Sequence, residues 1–288
     1  MGVLVHWSPR CRGAGAQVFK VLPRLKSNPT RLRTFNYPGQ NRCGLMADQL
    51  LFLASFAIGI GPALLLLWLG LRRYTYPQVD KTLFDDRRVF FALAVGLVVG
   101  TFSSLFSITI TGPDFASSLV AVVGSAVFEE MFKLIYLNRK GYRQNFSSTF
   151  YGFALGLGVA STVVLASGMA NPNLTVNPMT FAILVMSSIA LAGTQATAGA
   201  LIGYGCSKGL PWSYLVRAII VRIVFIASTI PVSLFAEPEW VGVFTVLPPL
   251  GVGLFLFYFA YTITFQETLP PEFRRRARKE RRAKARKG

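Results

Sequence analysis

Residues 125–137 read SAVFEEMFKLIYL, and the fold turns on whether this stretch lies in a membrane. It is apolar enough to do so, yet it carries two adjacent carboxylates, Glu129 and Glu130, and an ammonium, Lys133. Each charge at the centre of a membrane helix costs about 2.5–3.5 kcal/mol on insertion scales. The surrounding chain argues for the membrane despite that cost. Of its 288 residues 52% are hydrophobic and only 15% charged, whereas soluble domains carry roughly 25% charged residues. Between Leu50 and Phe265 long apolar runs recur with the charges confined to the gaps. A soluble domain would need polar faces on its helices, and few are visible.

Runs near the roughly 20 residues that cross a hydrocarbon core fall at 50–69, 89–110, 119–137, 150–169, 179–205, 214–235 and 241–265. The expected fold is therefore all-α, a polytopic transmembrane helix bundle of about seven spans. The third run is the weakest because of its charges, and six spans is the alternative count.

The gaps predict an orientation. Residues 70–88 hold Arg72, Arg73, Lys81, Arg87 and Arg88, residues 138–145 hold Arg139, Lys140 and Arg143, and Lys208 with Arg217 follows the fifth run. The alternate gaps, ITGPDFASS, GMANPNLTVNP and AEPEW, contain no Lys or Arg. This is a positive-inside alternation, and it predicts an external N-terminus and a cytoplasmic C-terminus.

Three segments follow: a basic leader over 1–45, a transmembrane domain over 46–269 and a polybasic tail over 270–288. The leader holds eight Lys/Arg and no acid, which conflicts with an external N-terminus. It reads either as an organelle transit peptide or as sequence upstream of a true start at Met46, the favoured reading. The tail has ten Lys/Arg among residues 274–288, with Arg274, Arg275, Arg276, Arg278, Lys279, Arg281 and Arg282 closest to the last span. Such clusters attract anionic lipid headgroups at about 1 kcal/mol per residue; a solvated topology anchor is the other reading. Nucleic-acid binding is disfavoured because no aromatics interleave the basic residues. Three cysteines, Cys11, Cys43 and Cys206, form no disulfide framework. Asn173-Leu174-Thr175 matches a glycosylation sequon.

At 1.5 Å per residue Glu129 and Glu130 fall near the bilayer midplane. Glu129 and Lys133 are i and i+4 with the acid first, the favourable order for an ion pair. Glu130, offset by about 100° on the helix, needs another partner: a donor, a proton or a metal. The site is read either as a polar knot that pins helix packing or as a functional centre. Gly96xxxGly100, Gly152xxxGly156 and Gly199xxxGly203 are steps that let membrane helices approach closely.

The EExxK pattern of Glu129, Glu130 and Lys133 before a basic loop resembles the first motif of PrsW-type intramembrane proteases. PALLLLWLGLRRYTYPQVDK (62–81), FYGFALGLGVAST (150–162) and ALIGYG (200–205) are similar to further segments of that family. The wider superfamily includes the CAAX-processing membrane proteases and the anterior-pharynx-defective subunit of gamma-secretase. The resemblance implies a metal, such as zinc, held by Glu and His and activating a water for peptide hydrolysis. Here the second motif, FxxxE, aligns to end on Val163, and Gln195 stands where the third motif has His. The single histidine is His6, so an imidazole site within the bundle is not expected.

Gln195 is expected instead to hydrogen-bond Glu130 across helices, with no cofactor. The expected function is a non-catalytic scaffold that binds membrane proteins or transmembrane segments. The alternative is an active intramembrane peptidase with Glu129 or Glu130 as base. A transporter is a third class, but broken helices and internal repeats are not evident.

Overall fold

The computed structural model describes residues 40–75, 83–110, 115–169, 178–234 and 239–269. The polybasic tail with its arginines and lysines, the first 39 residues of the leader, and the sequon at Asn173 lie outside the described residues. The chain divides into two compact units, Met1–Leu51 and Phe52–Gly288. The first contributes the opening turns of one helix; the second holds the bundle.

The described residues form seven long helices: α1 (Gln40–Leu71), α2 (Asp86–Ile110), α3 (Phe115–Leu137), α4 (Ser148–Met169), α5 (Pro178–Lys208), α6 (Pro211–Leu234) and α7 (Glu239–Phe259). A π-helical turn, Ala260–Thr264, and a short α8, Phe265–Thr268, extend α7. Each of the seven expected runs has its helix. Among the described residues six are long and apolar enough to cross a membrane by length and composition, α3 being the exception. Its 23 residues have the length, and its three charges set it apart. Phe90, Phe91, Phe102, Val120, Phe128 and Trp212, on three different helices, are exposed, a surface suited to lipid rather than water. The chain is an integral, multi-pass helical membrane protein.

Helix ends follow local chemistry. Asp85 precedes α2 and accepts the Arg87 N–H at 3.0 Å through Oδ1, satisfying a donor that a helix start leaves open. At the end of α5 Gly209 adopts φ +75°, and Leu210 N donates to Gly205 O at 2.9 Å while Gly209 N donates to Cys206 O at 3.4 Å. This paired closure needs a left-handed residue, which glycine supplies. Pro211 then opens α6, where its missing N–H costs nothing.

The bundle is built on α4, buried continuously from Ser148 to Ser161. A Cβ on Gly152 would lie 2.1 Å from the Gly199 carbonyl oxygen of α5, and one on Gly96 of α2 would lie 2.2 Å from Leu155 O of α4. Only glycine permits backbones this close. The small-residue steps read from sequence thus sit at the α2–α4 and α4–α5 crossings. Below them Tyr74, Phe84, Phe150, Phe153 and Phe265 form an aromatic cluster with ring centroids 5.1–5.8 Å apart. Beside these crossings α3 packs against α2, α5 and α6, and α6 packs against α5, so that the four surround a polar centre.

Candidate functional site: a buried ionic clasp

Four helices contribute to that centre. From α2 comes Ser103, from α3 Glu129, Glu130 and Lys133, from α5 Gln195 and from α6 Arg222. Glu130, Lys133 and Gln195 are 0% exposed, Glu129 and Ser103 2%, and Arg222 6%.

Glu129 is the most heavily bonded. Its Oε1 accepts the Ser103 hydroxyl at 2.5 Å. Its Oε2 accepts Gln195 Nε2 at 2.6 Å and Arg222 Nη2 at 3.0 Å. Lys133 Nζ donates to Glu130 Oε1 at 2.7 Å and to the Gln195 side-chain oxygen. Arg222 Nε lies 3.6 Å from Glu130 Oε1, so the guanidinium spans both carboxylates. Chemistry fixes the orientation of Gln195. An ammonium can only donate and a carboxylate only accept, so the amide oxygen must face Lys133 and the amide nitrogen Glu129.

Two carboxylates face one ammonium and one guanidinium, so the cluster is formally neutral. Neutrality and mutual bonding are what make it tolerable in low dielectric, where an unpaired ion is costly. Three atoms remain without a hydrogen-bond partner among the described residues: Glu130 Oε2, Arg222 Nε and Arg222 Nη1.

The structure redraws two expected pairings. Lys133 pairs with Glu130 at i,i+3 rather than with Glu129 at i,i+4. Both spacings bring side chains together on a helix, and Glu129 is already engaged by three other helices. Gln195 correspondingly clasps Glu129 rather than Glu130. Val163 is half-buried on α4. A Cβ on Gly156 would lie 2.0 Å from the Gln195 carbonyl oxygen. Gly156 is thus the α4 residue opposite Gln195, seven positions before Val163 and about 10 Å from it along the axis.

Arg222 and Ser103 are the members that sequence reasoning missed. Arg222 had a signal: VRAIIVRIVF places a cation about 16 Å inside α6. The two acids and one base of α3 also call for one more positive charge. Ser103 had none, since serine is common in such helices.

Among the described residues no group of three or more His, Cys, Asp or Glu could hold a metal ion. The donor set explains why a zinc site of the implied kind does not fit. Both carboxylates already bind cations, Gln195 offers one amide oxygen that faces Lys133, and a divalent ion would sit against an ammonium and a guanidinium. Comparison with protein-family models, with characterised proteins and with solved structures gives no match for this chain.

Proposed function

We propose that the protein is a non-catalytic membrane scaffold, similar to PrsW-type proteases in its EExxK helix, that binds another membrane protein or a transmembrane segment. One observation carries this reading: three of the four carboxylate oxygens of Glu129 and Glu130 accept hydrogen bonds, two of these oxygens from cations. A general base must be free to take a proton from water, and a carboxylate clamped between cations is a poor one. The same clasp ties α2, α3, α5 and α6 into a fixed frame, which suits holding a partner more than turning over substrate. On this reading the protein carries no cofactor and resides in the cell membrane. Its basic end, and the tail that contacts anionic lipid, would face the cytoplasm.

A second reading rests on Glu130 Oε2, the one carboxylate oxygen with no hydrogen-bond partner among the described residues. It could hold a water, as an intramembrane peptidase would require.

The test is to incubate purified full-length protein with membrane-spanning peptides while measuring its metal content. The scaffold reading expects intact peptides to co-purify, no stoichiometric zinc, and unchanged thermal stability with chelators. Cleavage products that disappear in Glu130→Gln would overturn it in favour of the peptidase.

A further inference from the structure

Outside the clasp, every described Lys and Arg between Phe52 and Leu269 lies at one end of the bundle. Within that end the cations are unevenly distributed. Arg87 and Arg88 share their surface with Asp85 and Asp86, and Arg88 Nε lies 3.7 Å from Asp85 Oδ2. The loop joining α3 to α4 and the turn joining α5 to α6 differ. Residues 136–147, YLNRKGYRQNFS, and 206–217, CSKGLPWSYLVR, contain five cations and no acid.

These two segments are one surface. Gln144 N donates to Cys206 O at 3.1 Å, and to reach it Gln144 takes a left-handed φ of +61°, a conformation that costs a non-glycine residue energy. Arg139, Lys140, Arg143, Lys208 and Arg217 are all exposed. Three are held over aromatic rings: Arg139 over Tyr136 at 5.6 Å, Lys208 over Tyr204 at 5.4 Å and Arg217 over Tyr214 at 4.6 Å. A ring steadies a cation without neutralising it. Glu267, which accepts the Tyr204 hydroxyl at 3.2 Å, is the acid tied most directly to the patch. Beside the charges, Ile135, Leu210, Trp212 and Val216 are exposed, an apolar strip at the depth where acyl chains begin.

We infer that this patch is a binding site for an anionic phospholipid, its headgroup phosphate held among Arg139, Arg143 and Lys208 and its chains lying against Trp212 and Val216. Three features recommend that occupant. Among the described residues these cations form no ion pair with a carboxylate, they sit at the ends of membrane helices, and apolar side chains adjoin them. Neither a soluble anion nor a zwitterionic headgroup uses all three. None of the substituted residues belongs to the polybasic tail, which is the same in every variant below.

The experiment titrates delipidated full-length protein in detergent with phosphatidylglycerol or phosphatidylcholine and counts bound lipids by native mass spectrometry. Wild-type protein should retain phosphatidylglycerol preferentially. Arg139→Gln/Arg143→Gln/Lys208→Gln should lose that preference by about five-fold per cation removed, without change in elution or thermal stability, since all three side chains are exposed. Arg87→Gln/Arg88→Gln, which removes cations that already have acids beside them, should lose much less. Millimolar inorganic phosphate should not displace the lipid. Equal retention of the two lipids, wild-type retention by the triple variant, an equal loss in the Arg87/Arg88 variant, or displacement by phosphate would each overturn the assignment.

Discussion

Helices α3 and α4 are neighbours in sequence and opposites in how they are held. Helix α4 carries no charge and is gripped by shape: glycines let α2 and α5 approach to backbone contact. Helix α3 is gripped by charge, through two carboxylates and an ammonium that reach α2, α5 and α6. In lipid, where apolar helices gain little from hiding from one another, close packing and interhelical hydrogen bonds are the available means of association. This bundle divides them between adjacent helices. Shape tolerates no added atom, whereas charge tolerates change as long as the balance is kept.

The largest effect should come from breaking the shape side. Gly152→Val places atoms into the Gly199 backbone, so neither rigid helix can give way. The loss should exceed about 4–5 kcal/mol, and size-exclusion chromatography should recover no monodisperse protein. Recovery of normal yield would mean that α4 and α5 are not packed backbone to backbone.

On the charge side Lys133→Met leaves Glu130 buried with Arg222 Nε at 3.6 Å as its remaining counter-ion. Breaking such a pair costs about 3–5 kcal/mol, read as a fall in thermal unfolding temperature in detergent. Adding Glu130→Gln should restore most of the loss, whereas adding Glu129→Gln should restore less. The reverse ranking would return the partnership to Glu129.

Arg222→Met should cost somewhat less, about 3 kcal/mol, the low end for breaking a buried ion pair, because Glu129 keeps the hydrogen bonds of Gln195 and Ser103. A double-mutant cycle with Glu129→Gln should expose a coupling energy of that order. An additive result would remove Arg222 from the clasp.

The smallest effect belongs to Ser103→Ala, about 0.5–1.5 kcal/mol, near the range for single hydrogen bonds between membrane helices. A loss as large as that of Lys133→Met would mean that Ser103 fixes the rotamer of Glu129 rather than merely bonding to it.

The helices were legible because run length is a property of the chain alone, and membrane thickness sets the scale. The glycine steps were legible for a similar reason: a residue without a side chain in a span is a place for close approach whatever the neighbour. The clasp was only half legible. Glu129, Glu130, Lys133 and Gln195 stand out as polar groups in apolar runs, but their pairing depends on how four helices are rotated. A choice between i,i+3 and i,i+4 cannot be made from spacing when both fit. Arg222 was readable from charge parity, since two acids and one base leave a deficit that another span must fill. Val163 was placed by alignment to a motif, and the α4–α5 crossing puts Gly156 opposite Gln195 instead.

The distance along the chain between Glu129 and Arg222, 93 residues, has a consequence for how the protein is made. Helix α3 leaves the ribosome with one negative charge in excess, and the guanidinium that balances it is not yet synthesised. At about 5–20 residues per second, the wait lasts roughly 5–20 seconds. During that interval α3 is an incompletely neutralised segment that must linger at the translocon or near the aqueous boundary, and it settles fully only when α6 arrives. Final burial of the third helix is therefore a late event in biogenesis, timed by the sixth.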